Sequence, residues 1–281
     1  RWAGGEGTNV QNIRKDDFHG IKLRSLFVPA SSKKLLVIDL AQIEPRVLSW
    51  LAGDETLLSL MRAGYTFYES QAKAWGWWDG ERGNLKKTDR SLYDAIKRLS
   101  LGAGYGLGPA KFRAVVASTM GGAISLEEAR RQLAEYRRRN PKVVEYWSYL
   151  EHRLQMSVGS GQLAIELPSG RELRYSNLER RGRDVYSTLS TAEGYRETKL
   201  WRGFLTENVV SATARDLFAT LLLRLEAAGL PVVLHCHDEF VLEVPGDVRL
   251  REVLELLVEP AEWAKDLPID VAGWEGASYA E

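Results

Sequence analysis

With 281 residues, 44% hydrophobic and 27% charged, the chain can bury a substantial core in one large domain or two smaller ones, and it is neither disordered nor low-complexity. Its 38 Lys and Arg balance 38 Asp and Glu, which excludes a uniformly basic nucleic-acid binder, and no apolar run approaches the roughly 18 residues of a membrane span. A single cysteine, Cys236, excludes a disulfide framework and a Cys-rich zinc site, and fits a reducing, cytoplasmic setting.

The first 30 residues are rich in Gly and polar side chains and read as loop. They begin at Arg1 rather than Met, so the chain is expected to be a piece of a longer protein. "KLLVIDL" (34–40) is a short β-branched apolar run, a buried strand. "QIEPRVLSWLAGD" (42–54) turns helical, with Pro45 tolerated in the first turn and Gly53 at the end. Asp39 thus sits where a strand ends just before a helix. Residues 56–76 read as mostly helical. Residues 88–106 form another helix with Thr88 or Asp89 as cap, on which Tyr93, Lys97, Leu101 and Tyr105, each four apart, follow one slowly drifting face. Two more helices follow, over 125–139, with a capping box from Ser125 to Glu128, and from Pro141. "GQLAIELPSGRELRYS" (161–176) alternates about Pro-Ser-Gly as a β-hairpin, and 206–229 is a long helix ending at Gly229. "PVVLHCHDEFVLEVPG" then gives two strands about a charged centre, before an amphipathic helix opening with "RLREVLELL".

Charge is unevenly distributed. From Arg82 to Lys142 there are 14 Lys and Arg against 5 Asp and Glu; from Asp238 to Glu281 there are 3 against 12. A charge run is usually a solvated face, but the first region could meet a polyanion and the second could hold cations.

Asp39 and Asp238 both lie where a strand ends or turns. If those strands are neighbours, two carboxylates converge, and like charges at close range need a cation. Mg²⁺ takes one or two carboxylates plus substrate phosphates, and two such ions about 3.5–4 Å apart clamp a phosphoryl transfer. The bland alternative is an acid on a hairpin tip. His235 and His237 would share a strand face, but His19 and His152 are distant in sequence, so zinc is disfavoured. Lys97 shares its face with Tyr93, Leu101 and Tyr105, a setting that a phosphate ligand explains better than solvent, and Arg90 two turns earlier extends the strip.

Together and in this order, these stretches resemble a known family. "VIDLAQIEPRVLSWLAGD" resembles motif A of family A DNA polymerases, the class of bacterial DNA polymerase I. "LYDAIKRLSLGAGYGLG" looks like motif B and "HCHDEFVLEV" like motif C. "RWAGGEGTNVQNI", "LPSGRELRY" and "TENVVSATARD" are similar to supporting segments, so the likeness spans essentially the whole chain, with a phage-type texture.

The resemblance implies an α+β fold: a right-hand palm of antiparallel sheet with helices (1–46 and 200–281) enclosing mostly helical fingers (47–199). A thumb is absent, and N-terminal thumb and exonuclease regions are expected in the parent protein. It implies template-dependent addition of deoxynucleotides to a primer 3′-hydroxyl, with DNA primer-template and deoxynucleoside triphosphates as partners and no membrane, in the cytoplasm of a bacterial or phage-infected cell. Two Mg²⁺ ions, with Mn²⁺ able to substitute, would be held by Asp39, Asp238 and the Leu40 backbone carbonyl, with Glu239 in a supporting role. Lys97 would bind the triphosphate and protonate pyrophosphate. Glu44 would crowd a ribose 2′-hydroxyl, with Gln42 and Arg46 supporting the pocket and Tyr105 near the templating base. Arg1 would approach the primer minor groove, His237 the primer terminus and Asn208 the duplex.

Departures from the family pattern fall at Tyr93, where an Arg is usual and Arg90 would compensate; at Leu101, where bacterial members have an aromatic; at Ser211, where many have Gln; and at Pro45 in place of Leu. Three alternatives compete: a palm-fingers fragment that binds nucleic acid with little or no turnover, disfavoured by Asp39, Lys97 and Asp238; a two-metal phosphodiesterase or nuclease, disfavoured by Lys97 and Tyr105 on one helix; and a single-subunit RNA polymerase, disfavoured by Glu44.

Overall fold

The computed structural model describes Ile13, Asp17 and residues 19–120, 123–191 and 194–280. The chain divides into two compact units, one made of Arg1–Ile43 with Ala214–Glu281 and the other of Glu44–Thr213.

The first unit is built on a four-stranded sheet of β1 (Lys33–Leu40), β7 (Val232–Cys236), β8 (Glu239–Pro245) and β9 (Val271–Gly276), in the order β7-β8-β1-β9 with every neighbour antiparallel. β1 is central, which explains its unbroken apolar run: Leu35 to Ile38 are all buried. Leu35 and Val37 pack with Val241 and Tyr279 on one face. On the other face, Phe240 stacks at 3.9 Å on Phe218 from the C-terminal half of α9 (Arg202–Ala227). α10 (Leu250–Val258) packs against β9, where Gly273 is required: a Cβ there would lie 2.9 Å from the Val37 carbonyl oxygen. β9 carries two glycines and only partial burial, so its sequence gives no apolar alternation and the pattern misses it.

The second unit holds α1 (Ile43–Leu51) from Glu44 onward, α2 (Glu55–Arg62), α3 (Phe67–Ala74), the short α4 (Leu85–Thr88), α5 (Arg90–Ala103), α6 (Pro109–Met120), α7 (Leu126–Arg139), α8 (Pro141–Ser157) and the N-terminal half of α9. It also holds the hairpin β2 (Gln162–Glu166) and β3 (Glu172–Ser176), and a sheet of β4 (Glu179–Arg181), β5 (Asp184–Thr191) and β6 (Gly194–Leu200). Leu150, Leu154, Leu163, Ile165, Val185 and Leu205 form one buried cluster that joins α8, both sheets and α9.

Three expectations change. The helix read over 56–76 is two helices, because the chain turns at Gly64 (φ 90°) and Thr66 opens α3 with a full capping box to Glu69. The helix read over 88–106 starts at Arg90, capped by Asp89 rather than Thr88, and ends at Ala103, so Tyr105 lies in the turn beyond it. Ser125 does cap α7, but the Glu128 carboxylate bonds Arg131 and Gln132 rather than closing a capping box. β4 to β6 also escape the sequence pattern: β6 is exposed at nearly every position, so neither face announces itself as apolar.

Candidate active site

In the first unit, the main chain brings Asp39 and Asp238 together. β1 and β8 pair so that Asp39 lies opposite Glu239, and the Leu40 amide donates to the Asp238 carbonyl at 3.0 Å. His237 and Asp238 form the two-residue turn between β7 and β8, and His237 has a φ of 57°, the positive φ that tight hairpins require. That conformation takes His237 out of the strand, so it does not share a strand face with His235, whose ring instead meets Phe218 edge-on at 5.7 Å. Burial, with Arg215 nearby, pushes the His235 pKa down. Gln42 also has a positive φ, 55°, where the chain leaves β1 for α1.

Glu239 is differently placed. Its side chain is buried, and its Oε1 accepts from the Arg24 guanidinium at 2.9 Å and from the Tyr279 hydroxyl. Burial and the adjacent carboxylate push the Tyr279 pKa up, so its hydroxyl stays protonated as a donor. The charge of Glu239 is thus answered by Arg24. Among the described residues, no three His, Cys, Asp or Glu side chains gather to hold a metal ion. A pair of carboxylates fits Mg²⁺, which completes its shell with substrate phosphates and water, and does not fit a protein-only cage.

In the second unit, side-chain hydroxyls position the key carboxylate. Glu44, in the first turn of α1, accepts from the Tyr105 hydroxyl at 3.1 Å on one oxygen and from the Ser211 hydroxyl at 3.3 Å on the other. Burial first, and then Glu44, push the Tyr105 pKa up and keep it a donor. The turn bearing Tyr105 is held closely. Trp147 Nε1 donates to the Gly104 carbonyl at 3.0 Å, Gly106 has a φ of 70°, and a Cβ on Gly203 would lie 2.0 Å from the Tyr105 carbonyl oxygen. Arg46, two residues beyond Glu44 in sequence, is 1% exposed.

Lys97 is half-buried on α5. Tyr93 packs edge-on against Tyr68 at 5.2 Å, and Leu101 is 45% exposed. Arg90 pairs with Asp94 at 3.0 Å, with its guanidinium 5.8 Å from the Tyr93 ring. Asn208 Nδ2 donates to the Tyr175 hydroxyl at 2.9 Å. Arg1 lies outside the described residues. Sequence reasoning missed Arg24 and Tyr279 as partners of Glu239, and Ser211 as a partner of Glu44. The one available signal was Ser211, already marked as a departure from the family pattern.

Comparison with known proteins agrees with the motif reading. Residues 6–281 match the model of DNA polymerase family A. The chain is similar to the DNA polymerase of Bacillus phage SP02, with 33% identity covering 90% of this chain and 42% of that one. It is also similar to the thermostable DNA polymerase I of Thermus filiformis, with 30% identity covering 97% of this chain and 30% of that one. Among solved structures, the POL domain of Pol1 from M. smegmatis, in complex with DNA primer-template and dNTP, matches with a TM-score of 0.65 and 21% identity over 96% of this chain and 44% of that one. The chain therefore spans less than half the length of these relatives.

Proposed function

Because the chain belongs to DNA polymerase family A, we propose that it is the palm and fingers of a DNA-directed DNA polymerase, with palm over 1–46 and 200–281 and fingers over 47–199. In this reading it adds deoxynucleotides to a primer 3′-hydroxyl on a DNA template and releases pyrophosphate. The observation that carries the proposal is the backbone adjacency of Asp39 and Asp238, set by the antiparallel pairing of β1 and β8 and the Leu40 amide on the Asp238 carbonyl.

Asp39 and Asp238, with the Leu40 carbonyl, would hold two Mg²⁺ ions, or Mn²⁺ in their place. Bound there, the metal supplies charge neutralisation at the phosphates and a more acidic primer hydroxyl. The chain's own residues do the rest. Lys97 grips the triphosphate and gives a proton to the departing pyrophosphate. Glu44, braced by Tyr105 and Ser211, occupies the space a ribose 2′-hydroxyl would need, with Gln42 and Arg46 supporting that pocket. Tyr105 lies near the templating base, and Arg90 would serve the triphosphate where Tyr93 replaces an Arg. Leu101 offers an aliphatic surface to base and sugar. Arg1, His237 and Asn208 contact the primer-template.

The test supplies primer-template, Mg²⁺ and either dNTPs or rNTPs to the chain and to its Asp238→Ala variant. Extension with dNTPs that vanishes in the variant is expected. Extension that survives Asp238→Ala overturns the metal assignment, equal use of rNTPs overturns the role of Glu44, and cleavage without extension points to a nuclease.

A further inference from the structure

We propose that Arg24 and Tyr279 are positioning residues for the metal-bearing turn, acting through Glu239. The inference rests on the reading of Asp238 as a metal ligand. Glu239 follows Asp238 directly and lies opposite Asp39 in the sheet. Its carboxylate is one end of a buried ion pair, with Arg24 and Glu239 side chains 9% and 8% exposed at 2.9 Å. Burying two charges is expensive, and an apolar pair of similar volume would serve stability as well or better. A buried, hydrogen-bonded pair beside a catalytic turn is therefore better explained by the geometry it fixes than by the energy it adds.

That geometry is over-determined. The Arg24 guanidinium stacks 4.3 Å over the Tyr279 ring while both groups donate to the same Glu239 oxygen. Tyr279 is tied back in turn, its amide donating to the Phe27 carbonyl at 2.9 Å and its ring meeting Phe27 edge-on. Four residues further along the same face of β8, Glu243 accepts from the Ala30 amide at 2.6 Å and from Lys33 at 3.0 Å. The segment leading into β1 thus grips β8 at Glu239 and Glu243 on one face, and the C-terminal segment closes over the Val241 between them. Such a clamp leaves the turn at His237 and Asp238 little freedom to swing away from Asp39. Residues that orient a metal ligand in this way typically change metal affinity or activity by about 10-fold to 100-fold when removed.

The experiment uses the full chain with Tyr279→Phe, Arg24→Lys, Arg24→Ala and Asp238→Ala. Three quantities are measured: Mn²⁺ affinity from the free-ion electron paramagnetic resonance signal with dNTP present, kcat and dNTP KM for primer extension, and Tm. Tyr279→Phe, which deletes one hydroxyl, is expected to weaken Mn²⁺ binding and lower kcat by about 10-fold with dNTP KM and Tm little changed. Arg24→Lys is expected to retain more of both than Arg24→Ala. Unchanged Mn²⁺ affinity and kcat in Tyr279→Phe and Arg24→Lys, with only Tm reduced, would make the triad structural glue and overturn the proposal. A wild-type chain that binds Mn²⁺ through Asp238 and loses affinity in Tyr279→Phe, yet extends no primer, would sink the polymerase reading and leave this one standing. A wild-type chain that binds no Mn²⁺ overturns both.

Discussion

The two units place their candidate functional carboxylates by different means. In the sheet unit, Asp39 and Asp238 are aimed by the main chain: strand register, a tight turn, and the amide of Leu40 on the carbonyl of Asp238. In the helical unit, Glu44 is aimed by hydroxyls that reach it from 61 and 167 residues away in sequence. A backbone-aimed group keeps its position when its own side chain is changed, so substitution there should remove chemistry and leave structure intact. A side-chain-aimed group can be loosened by degrees, by removing its partners one at a time. The contrast suits the proposed roles, since a metal ligand is present or absent whereas selection against a ribose can be graded.

The sharpest way to break this contrast is at Asp39. Asp39→Asn keeps the shape and should keep the sheet, because the pairing of β1 with β8 and β9 is made by the backbone. If the carboxylate holds a divalent ion worth several kcal/mol to the transition state, primer extension should fall by about 10³-fold at about 1.36 kcal/mol per tenfold. Circular dichroism and Tm should be unaltered, and a collapse of the fold would show that Asp39 is structural. Next in size is Glu44→Ala, which opens space beside the sugar. Discrimination against rNTPs should drop by about 10²-fold, read as the ratio of kcat/KM for dNTP and rNTP, with Mg²⁺ dependence unchanged.

The sheet unit was the more legible in sequence. β1 announces itself as a buried run, and the β7–β8 hairpin shows apolar residues on both sides of its charged turn, so Asp39 and Asp238 can be placed at strand ends from the sequence. The partners of Glu239 could not. Arg24 lies 215 residues away and Tyr279 lies 40 away, and neither sits in a periodic segment. Pairing of this kind is set by tertiary packing, which local pattern does not encode. In the helical unit, α5 was legible by its periodicity and its Asp89 cap, but its end was not. Gly102, Gly104 and Gly106 soften the pattern, so Tyr105 read as the last turn of a helix although it lies in the loop beyond. Ser211 was visible only as an odd residue; that its hydroxyl braces Glu44 follows from packing within that unit.

Smaller effects grade the helical side. Tyr105→Phe removes a donor to a carboxylate, worth about 1.5 kcal/mol, and should cost roughly tenfold in dNTP-over-rNTP discrimination. Ser211→Ala removes the longer bond and should cost a few-fold at about 0.5–1 kcal/mol. Because both hydroxyls act on one carboxylate, the double variant should depart from the product of the single effects. Independent effects would mean that the hydroxyls serve different ends and that Glu44 is not held as a single braced group.

The smallest effect concerns a carboxylate held in a third way, by main-chain amides. Asp54 caps α2, accepting from the Leu57 amide at 3.2 Å, and is 9% exposed. Burial raises its pKa above the ordinary 3.8, outweighing the amide bonds and the attraction of Lys142. A carboxyl that binds its proton more tightly when folded stabilises the protein fully below 3.8, and that contribution is lost as pH rises through the folded value. At pH 7 the ionised group is therefore a burden on the fold. Asn caps helices as well as Asp and carries no charge. Asp54→Asn should then raise Tm at pH 7, with a gain that shrinks as pH is lowered toward 3.8, measured by thermal unfolding across that range. A lower Tm at pH 7 would mean that the amides reward the charge more than burial penalises it, and that even here the main chain, not the solvent boundary, decides where a carboxylate can sit.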